Sequence, residues 1–460
     1  MASTSTVQWS SKTAFIFAAV GSAVGLGNIW RFPYVAGENG GGAFVLIYIG
    51  FVFLIGLPVL IAELSIGRRA RHNPITSFIT MAKESGLSER WAWLGKISVF
   101  GGAIGLLSFY SVIAGWVMSY IIQAAVGTFS GIEKEGAQAA MTAFSGNSGT
   151  MTLWHFLFIV VTIFIVGKGI KSGLEKAVTY LMPTLFLLLL LLVGYSMATA
   201  EFGKAVDFLF TPDFSKINGS VVLSALGQAF FSLSVTMGTM IAYGAYLPKD
   251  VSLHRSAGLI AAADTGVALI AGLAIFPLVF AYGLSPESGP NLIFVTLPIA
   301  FGQMPGGDII GTAFFILLTI AAITSSISLL EPVVAYFEEN FGITRWRAAI
   351  FGGGIAFLVG LLTVYSSNDW ADLMPFAMIG IETVGGKIAN WGNLIEFTVA
   401  NVIMPTSGLL LAIFVGWFIK REYLKDELGL PEGGIFEIWH VLLKFVVPVA
   451  LAIVLYSGLT

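Results

Sequence analysis

Asp264 stands inside the apolar run "LIAAADTGVALIAG", and Asn28 closes the glycine-rich stretch "GSAVGLGN" that begins at Gly21. A carboxylate that deep among alanines and leucines is expensive, so it marks either a functional site or a structural hydrogen bond to a neighbouring helix. The Asn28 amide oxygen is a hard ligand, suited to a cation that prefers oxygen. A further set of oxygens lies in "ITSSISLLEP", where Thr324, Ser325 and Ser326 follow one another. A lone hydroxyl in an apolar helix commonly bonds back to the carbonyl one turn earlier, but three in succession point to different faces. Two of them beside an opened helix would complete a sodium site made wholly of oxygen, leaving Ser326 to look toward a substrate.

The glycines before Asn28 admit two readings. Gly21 and Gly25 form a GxxxG pair that lets helices pack closely, or they mark a break whose freed carbonyls meet a cation and whose freed N–H groups face a carboxylate. Asn28 favours the break. One turn on, Arg31 either snorkels to an interface or pairs with an acid across a closable pathway. Glu396 in "NLIEFTVAN" is the first candidate partner and Asp372 the second. Glu63 serves structure or function equally well, and Tyr110 in "LLSFYSVIAGW" is either a packing aromatic or a phenol able to reach a carboxylate. His72, His155, His254 and His440 fall near span ends or in loops, and there is no cysteine. The pattern therefore lacks the metal cluster or acid–base pair of an intramembrane enzyme.

Long helices must hold these groups. Of 460 residues, 57% are hydrophobic and 11% charged, the composition of an all-α polytopic membrane protein. The net charge of -3 points to no nucleic-acid partner, and the lipid bilayer is the expected surrounding. Spans of roughly 20 apolar residues fall at 11–36, 41–66, 96–125, 153–168, 177–198, 219–246, 256–284, 307–340, 347–366, 393–419 and 436–458, eleven in all. The opening "MASTSTVQWS" lacks the basic region of a secretory signal, so the first span is expected to stay. Most of the 23 Lys and Arg residues gather on one side, with only Lys134, Lys204, Lys216 and Lys387 on the other. The positive-inside rule then puts the N-terminus in the cytoplasm and the C-terminus outside, in a cell inner (plasma) membrane.

Spans one and six share a feature: "GSAVGLGN" and "SLSVTMGT" both put small and hydroxyl residues at mid-membrane. Each opens a set of five spans, and an odd number per set turns the second copy upside down. The chain is thus expected to form one transporter domain over 1–460, with a first five-helix repeat at 11–198, an inverted repeat at 219–419 and an extra C-terminal helix at 436–458.

"GSAVGLGNIWRFPYVAGENGGGAF" closely resembles the span-one signature of the neurotransmitter:sodium symporters, and "GQAFFSLS" and "AAITSSIS" resemble their sixth and eighth spans. The resemblance runs through essentially the whole chain and is nearest to the bacterial, eleven-span branch that includes the multi-hydrophobic amino-acid transporter. It implies the LeuT fold, interrupted helices one and six, and symport of a neutral amino acid with two sodium ions by alternating access. By that resemblance, Gly21, Val24 and Ala321 give carbonyls and Thr324 and Ser325 give hydroxyls to one sodium. The Ala23 carbonyl, Asn28, Ser232 and Asp264 hold the second, next to the substrate carboxylate, so that Ala23 and Ser232 also border the substrate. The substrate carboxylate meets Leu26, Gly27 and Tyr110, and its side chain faces Leu106, Phe231, Ser234, Met237, Ser326 and Leu329. Phe231 is also the lid, under an outer gate of Arg31 and Glu396 with Gln228 nearby.

Three departures from that family's pattern shape further expectations. Asp264 replaces an asparagine of many relatives, which implies independence of chloride. Thr236 replaces a glycine in span six, where its side chain would shrink the pocket or offer it a hydroxyl. Trp9 matches a cytoplasmic gate residue, but "STST" at 3–6 lacks the expected arginine before it. The rival readings are a carrier of another small zwitterion and a membrane protein that binds the ligand without concentrating it.

Overall fold

The computed structural model describes residues 8–199, 201–286, 291–373, 390–430 and 433–459. Every regular element among them is helical, as expected where hydrocarbon offers the backbone no hydrogen-bond partner but itself. Among the described residues nine helices are long and apolar enough to cross a membrane: Gly42–Ala70, Glu89–Ala125, Ser148–Gly167, Ile170–Ala198, Leu253–Ala281, Gly307–Phe341, Arg345–Ser366, Trp391–Phe418 and Ile435–Leu459. They are spans two to five and seven to eleven of the sequence reading. Spans four and five start earlier than the apolar runs suggest, at Ser148 and Ile170. Asn147 caps the former by accepting from the Thr150 N–H at 2.8 Å, and residues 170–176, which include Lys171, Glu175 and Lys176, continue the latter beyond its apolar part.

The remaining two spans are broken. Span one consists of Lys12–Ala23 and Gly27–Glu38, bent by 49°. Ser11 caps its start by accepting from the Ala14 N–H at 3.1 Å, and Val24 turns out of helical geometry with ψ 99°. Span six consists of Gly219–Ser232 and Thr239–Ala245, each too short to cross alone. Between them Ser234, Thr236 and Gly238 all have positive φ, at 51°, 75° and 76°. The glycine tolerates this freely. Thr236, being β-branched, holds it only because its surroundings enforce it.

Spans three and eight pack along each other at the centre, with spans four and nine against them. The first half of span one lies on span eight, and the second half of span six lies on span two. That last contact is a close backbone approach. A Cβ on Gly67 would overlap the Ile241 carbonyl oxygen, and one on Gly244 would lie 2.6 Å from the Leu64 carbonyl oxygen. Small residues permit such approach where dispersion and not the hydrophobic effect drives helix association. Gly67→Ala is expected to destabilise the fold by about 1–3 kcal/mol, seen as a lower melting temperature of the purified protein, whereas Gly258→Ala, with open space around it, leaves the melting temperature unchanged.

Candidate functional site

Both breaks face the same buried centre. Asn28, one residue into the second half of span one, uses its amide in both directions. Nδ2 donates to Asp264 Oδ1 at 2.7 Å, to the Asp264 carbonyl at 3.1 Å and to Ser232 Oγ at 3.0 Å. Oδ1 accepts from the Gly25 N–H, freed by the break, at 3.2 Å. The Ser232 hydroxyl, at the end of span six's first half, donates to Asp264 Oδ2 at 2.6 Å. Tyr48 of span two lies 3.2 Å from that hydroxyl. All four residues are buried, and Asp264 forms no ion pair among the described residues. Its charge is therefore met only by hydrogen-bond donors, so a small cation is the natural partner for this group.

A second group of oxygens lies on the other side of the break. Thr324 Oγ1 donates to the Ala321 and Ile320 carbonyls at 3.0 and 3.2 Å, and a Cβ on Gly21 would sit 3.2 Å from Thr324 Cβ. Ser325 Oγ crosses to the Ser22 carbonyl at 3.2 Å, where Ser234 Oγ also donates at 2.8 Å. Gly21, Ala321, Thr324 and Ser325 thus come together, with Val24 supplying the turn itself. Gly25 has to be glycine here, because a Cβ would collide with Ser325 Oγ and lie 3.2 Å from the Tyr110 hydroxyl. Among the described residues no three His, Cys, Asp or Glu side chains gather as a metal site. The donors are carbonyls, hydroxyls, an amide and one carboxylate, a set suited to sodium.

Beside the break lies a cavity of about 20 Å³, with Gly25 and Ser325 in its wall, space for about one water. Ala23, Leu26, Gly27 and Tyr110 form one side, with the Leu26 N–H 3.5 Å from the Tyr110 hydroxyl. Leu106, Met237 and Leu329 form an apolar end, with Ser234 beside them. Phe231 covers the cavity, its ring 3.2 Å from where a Gly27 Cβ would be. Beyond Phe231 is a wider cavity of about 380 Å³ that reaches Trp30, Arg31, Asn393 and Glu396.

Three residues expected to face a substrate are turned elsewhere. Ser232 belongs to the Asp264 group. Ser326 donates to the Ile323 carbonyl at 2.9 Å and lies 2.8 Å from the Thr162 hydroxyl of span four. Thr236 neither shrinks the cavity nor offers it a hydroxyl. Left-handed backbone turns its side chain to span ten, where Cγ2 would be 2.9 Å from a Gly408 Cβ, while its N–H donates to Glu63 Oε1 at 2.9 Å. The residues that sequence reasoning missed are Tyr48, the Ser22 carbonyl and Gly25 as a lining residue. A tyrosine in an apolar span carries no distinguishing signal, and a carbonyl belongs to every residue type.

The two ends of the pathway differ. Arg31 and Glu396 line the same cavity but form no ion pair. The guanidinium instead donates to Gln228 Oε1 at 2.5 Å and lies 5.0 Å from the centre of the Phe231 ring, and Gln228 Nε2 holds the Gly27 carbonyl at 2.9 Å. Asp372 is exposed and forms no ion pair with Arg31. At the opposite end Trp9 is buried, its indole N–H on the Tyr243 carbonyl and its backbone N–H on the Tyr246 carbonyl, both at 3.1 Å. The Tyr246 hydroxyl donates to Glu331 Oε1 at 2.8 Å, and Glu331 pairs with Arg345. Residues 3–6, which lack the expected arginine, lie outside the described residues.

The family model for the sodium:neurotransmitter symporter family matches residues 6–131 and 137–457. The chain is 38% identical over 451 residues to the uncharacterized sodium-dependent transporter YhdH of Bacillus subtilis, covering 97% of this chain and 96% of that one. It is 34% identical to an uncharacterized sodium-dependent transporter of Haemophilus influenzae, over 98% of each chain. The crystal structure of MhsT in complex with L-phenylalanine is similar over 98% of this chain and 99% of that chain, with TM-score 0.88 and 41% identity.

The strain at Thr236 gives a direct check. Thr236→Gly is expected to raise the melting temperature by a few degrees, since left-handed backbone costs a threonine about 1–3 kcal/mol and glycine almost nothing. An unchanged or lower value would mean that packing against Gly408 outweighs the strain.

Proposed function

This chain belongs to the sodium:neurotransmitter symporter family, and from that premise we propose that it moves a neutral amino acid with an apolar side chain across the membrane together with two sodium ions. It is a multi-pass, sodium-dependent transporter and not an enzyme. The observation that carries the reading is the pair of oxygen groups on either side of one break, Asn28–Ser232–Asp264 and Thr324–Ser325, with a cavity beside the break that Gly25, Gly27 and Ser325 line.

The substrate carboxylate would take the Leu26 and Gly27 N–H groups and the Tyr110 phenol, replacing the 3.5 Å contact between Leu26 and Tyr110. Its side chain would occupy the apolar end beside Leu106, Met237 and Leu329. Met237 adapts readily to different shapes, and Thr236, turned away, sets no limit on size. MhsT was solved with L-phenylalanine, which supports a pocket that opens to an aromatic side chain once Phe231 and Met237 move.

Sodium beside Asp264 would offset a buried carboxylate and attract the substrate's own, so ion and substrate lower each other's cost of leaving water and bind with reciprocal coupling. Because Asp264 already supplies a fixed negative charge, transport would not need chloride. The cavity beyond Phe231, with Arg31 and Glu396 apart and Trp9 sealing the other end, supports access from the Arg31 side. Closure would bring Arg31 toward Glu396, and rocking of spans one, two, six and seven would free Trp9. The lysine and arginine distribution supports a cytoplasmic Trp9 end and an outer C-terminus in the inner membrane. Spans 11–198 and 219–419 would be the inverted repeats, with 436–458 added.

Purified protein in liposomes should accumulate labelled neutral amino acids against a gradient when sodium is outside, and not when potassium replaces it. Gluconate in place of chloride should leave the rate unchanged. Binding without accumulation would favour a non-concentrating binder. Asp264→Asn is expected to lower uptake at least about tenfold in gluconate, with partial recovery in chloride, because a mobile anion then replaces the lost charge. Equal rates for Asp264→Asn in both salts would sink the chloride argument.

A further inference from the structure

A basic groove lies where spans four and five meet, at the membrane face that carries Trp9 and apart from the central cavity. Gly169, with φ 97°, turns the chain between Gly167 and Ile170, and the groove beside this turn has a volume of about 180 Å³. Phe164, Ile165 and Ala177 form its apolar wall, and Lys168, Ser172 and Lys176 its rim. The Lys168 ammonium lies 3.9 Å from the centre of the Phe164 ring, held over the groove by cation–π attraction.

The groove has no acid of its own. Lys168, Lys171 and Lys176 are exposed and form no ion pair among the described residues. The adjacent Glu175 is engaged by Ser10, whose backbone N–H donates to it at 3.1 Å. Arg345, close to Gly169, is paired with Glu331 and Glu338.

Two exposed apolar stripes lead from the groove toward the membrane centre. On span four, Leu157, Val160 and Phe164 repeat at helical spacing, and on span five Leu187 and Leu191 follow Tyr180. Tyr180 is 67% exposed and sits near the start of the span's apolar part, where tyrosine rings settle at headgroup depth. Positive charge at the face and hydrocarbon-compatible surface running inward is the layout of one amphiphile.

We propose that this groove binds an anionic glycerophospholipid, its phosphate between Lys168 and Lys176 and its acyl chains along the two stripes. Basic pockets between transmembrane helices recognise such headgroups, and a choline headgroup would bring a cation against the two lysines. The site is independent of the transport reading, since none of its residues borders the central cavity.

The test is native mass spectrometry of the full-length purified protein titrated with phosphatidylglycerol and, separately, phosphatidylcholine. Each lysine near anionic lipid contributes a factor of about five. Lys168→Gln with Lys176→Gln should therefore weaken the tightest phosphatidylglycerol binding about 25-fold, while Lys168→Arg with Lys176→Arg retains it and shows that the site still folds. Lys12→Gln with Lys249→Gln, which removes two charges elsewhere, should have no effect. The proposal is overturned by undiminished binding to the double glutamine variant, by an equal loss in the Lys12/Lys249 variant, or by phosphatidylcholine binding as tightly as phosphatidylglycerol. It is overturned too if sn-glycerol 3-phosphate at the lipid's own concentration displaces the lipid, since the headgroup alone would then account for binding.

Discussion

A helix opened inside a membrane leaves backbone N–H and C=O groups with no water to turn to, and each one left bare costs several kcal/mol. The rest of this structure is arranged around that constraint. The Gly25 N–H goes to Asn28 of its own span, and the Gly27 carbonyl to Gln228 of span six. The Ser22 carbonyl receives Ser234 and Ser325, and the Thr236 N–H goes to Glu63 of span two. Polar side chains from four spans thus hold two breaks open. The bland and functional readings of Asn28 and Ser325 converge, because the side chains that satisfy the opened backbone belong to the two oxygen groups beside the break.

Charge is distributed in keeping with this. Two buried acids near the Trp9 end have cationic partners, Glu331 with Arg345 and Glu427 with Arg68 at 2.8 Å, while Glu63 takes the Thr236 N–H. Such pairs recover part of the desolvation cost through mutual attraction. Asp264 at the centre has Ser232 and Asn28 instead, neutral donors that leave its net charge in place. An unpaired carboxylate at the meeting point of three spans would bind a cation more strongly than a paired one. A cation there would be felt by spans one, six and seven together.

Access follows from two aromatic residues on opposite sides of the cavity. Phe231 separates the small cavity from the wide one, steadied by Gly27 beneath and the Arg31 guanidinium above. Trp9 packs edge-on against Tyr243, ring centres 5.3 Å apart, and against Tyr246. Phe231 sits beside an opened helix segment and is partly exposed, whereas Trp9 is fixed by two hydrogen bonds and three rings, Phe15 being the third. The closed end is therefore the more heavily bonded one, and opening it requires the spans that carry those partners to move together.

The sequence by itself determined the helical class, the spans and the places where spans one and six open. Hydropathy is a local property, and glycines followed by an asparagine, or hydroxyls in succession, at mid-membrane favour a break over a packing seam. It also marked Asn28, Asp264, Thr324 and Ser325, because polar atoms in hydrocarbon are costly enough to stand out. Tertiary structure alone decided which way the less costly side chains face. Left-handed backbone at Thr236 turned that residue to Gly408, and Thr162 drew Ser326 toward span four. The close approach of helices belongs to Gly67 and Gly244, whereas Gly21 and Gly25 make room for Thr324 and Ser325. Tyr48 joined the Asp264 group from a span that gave no sign of it. Such orientations depend on backbone torsions and on neighbours far away in the chain, which residue type and spacing do not encode.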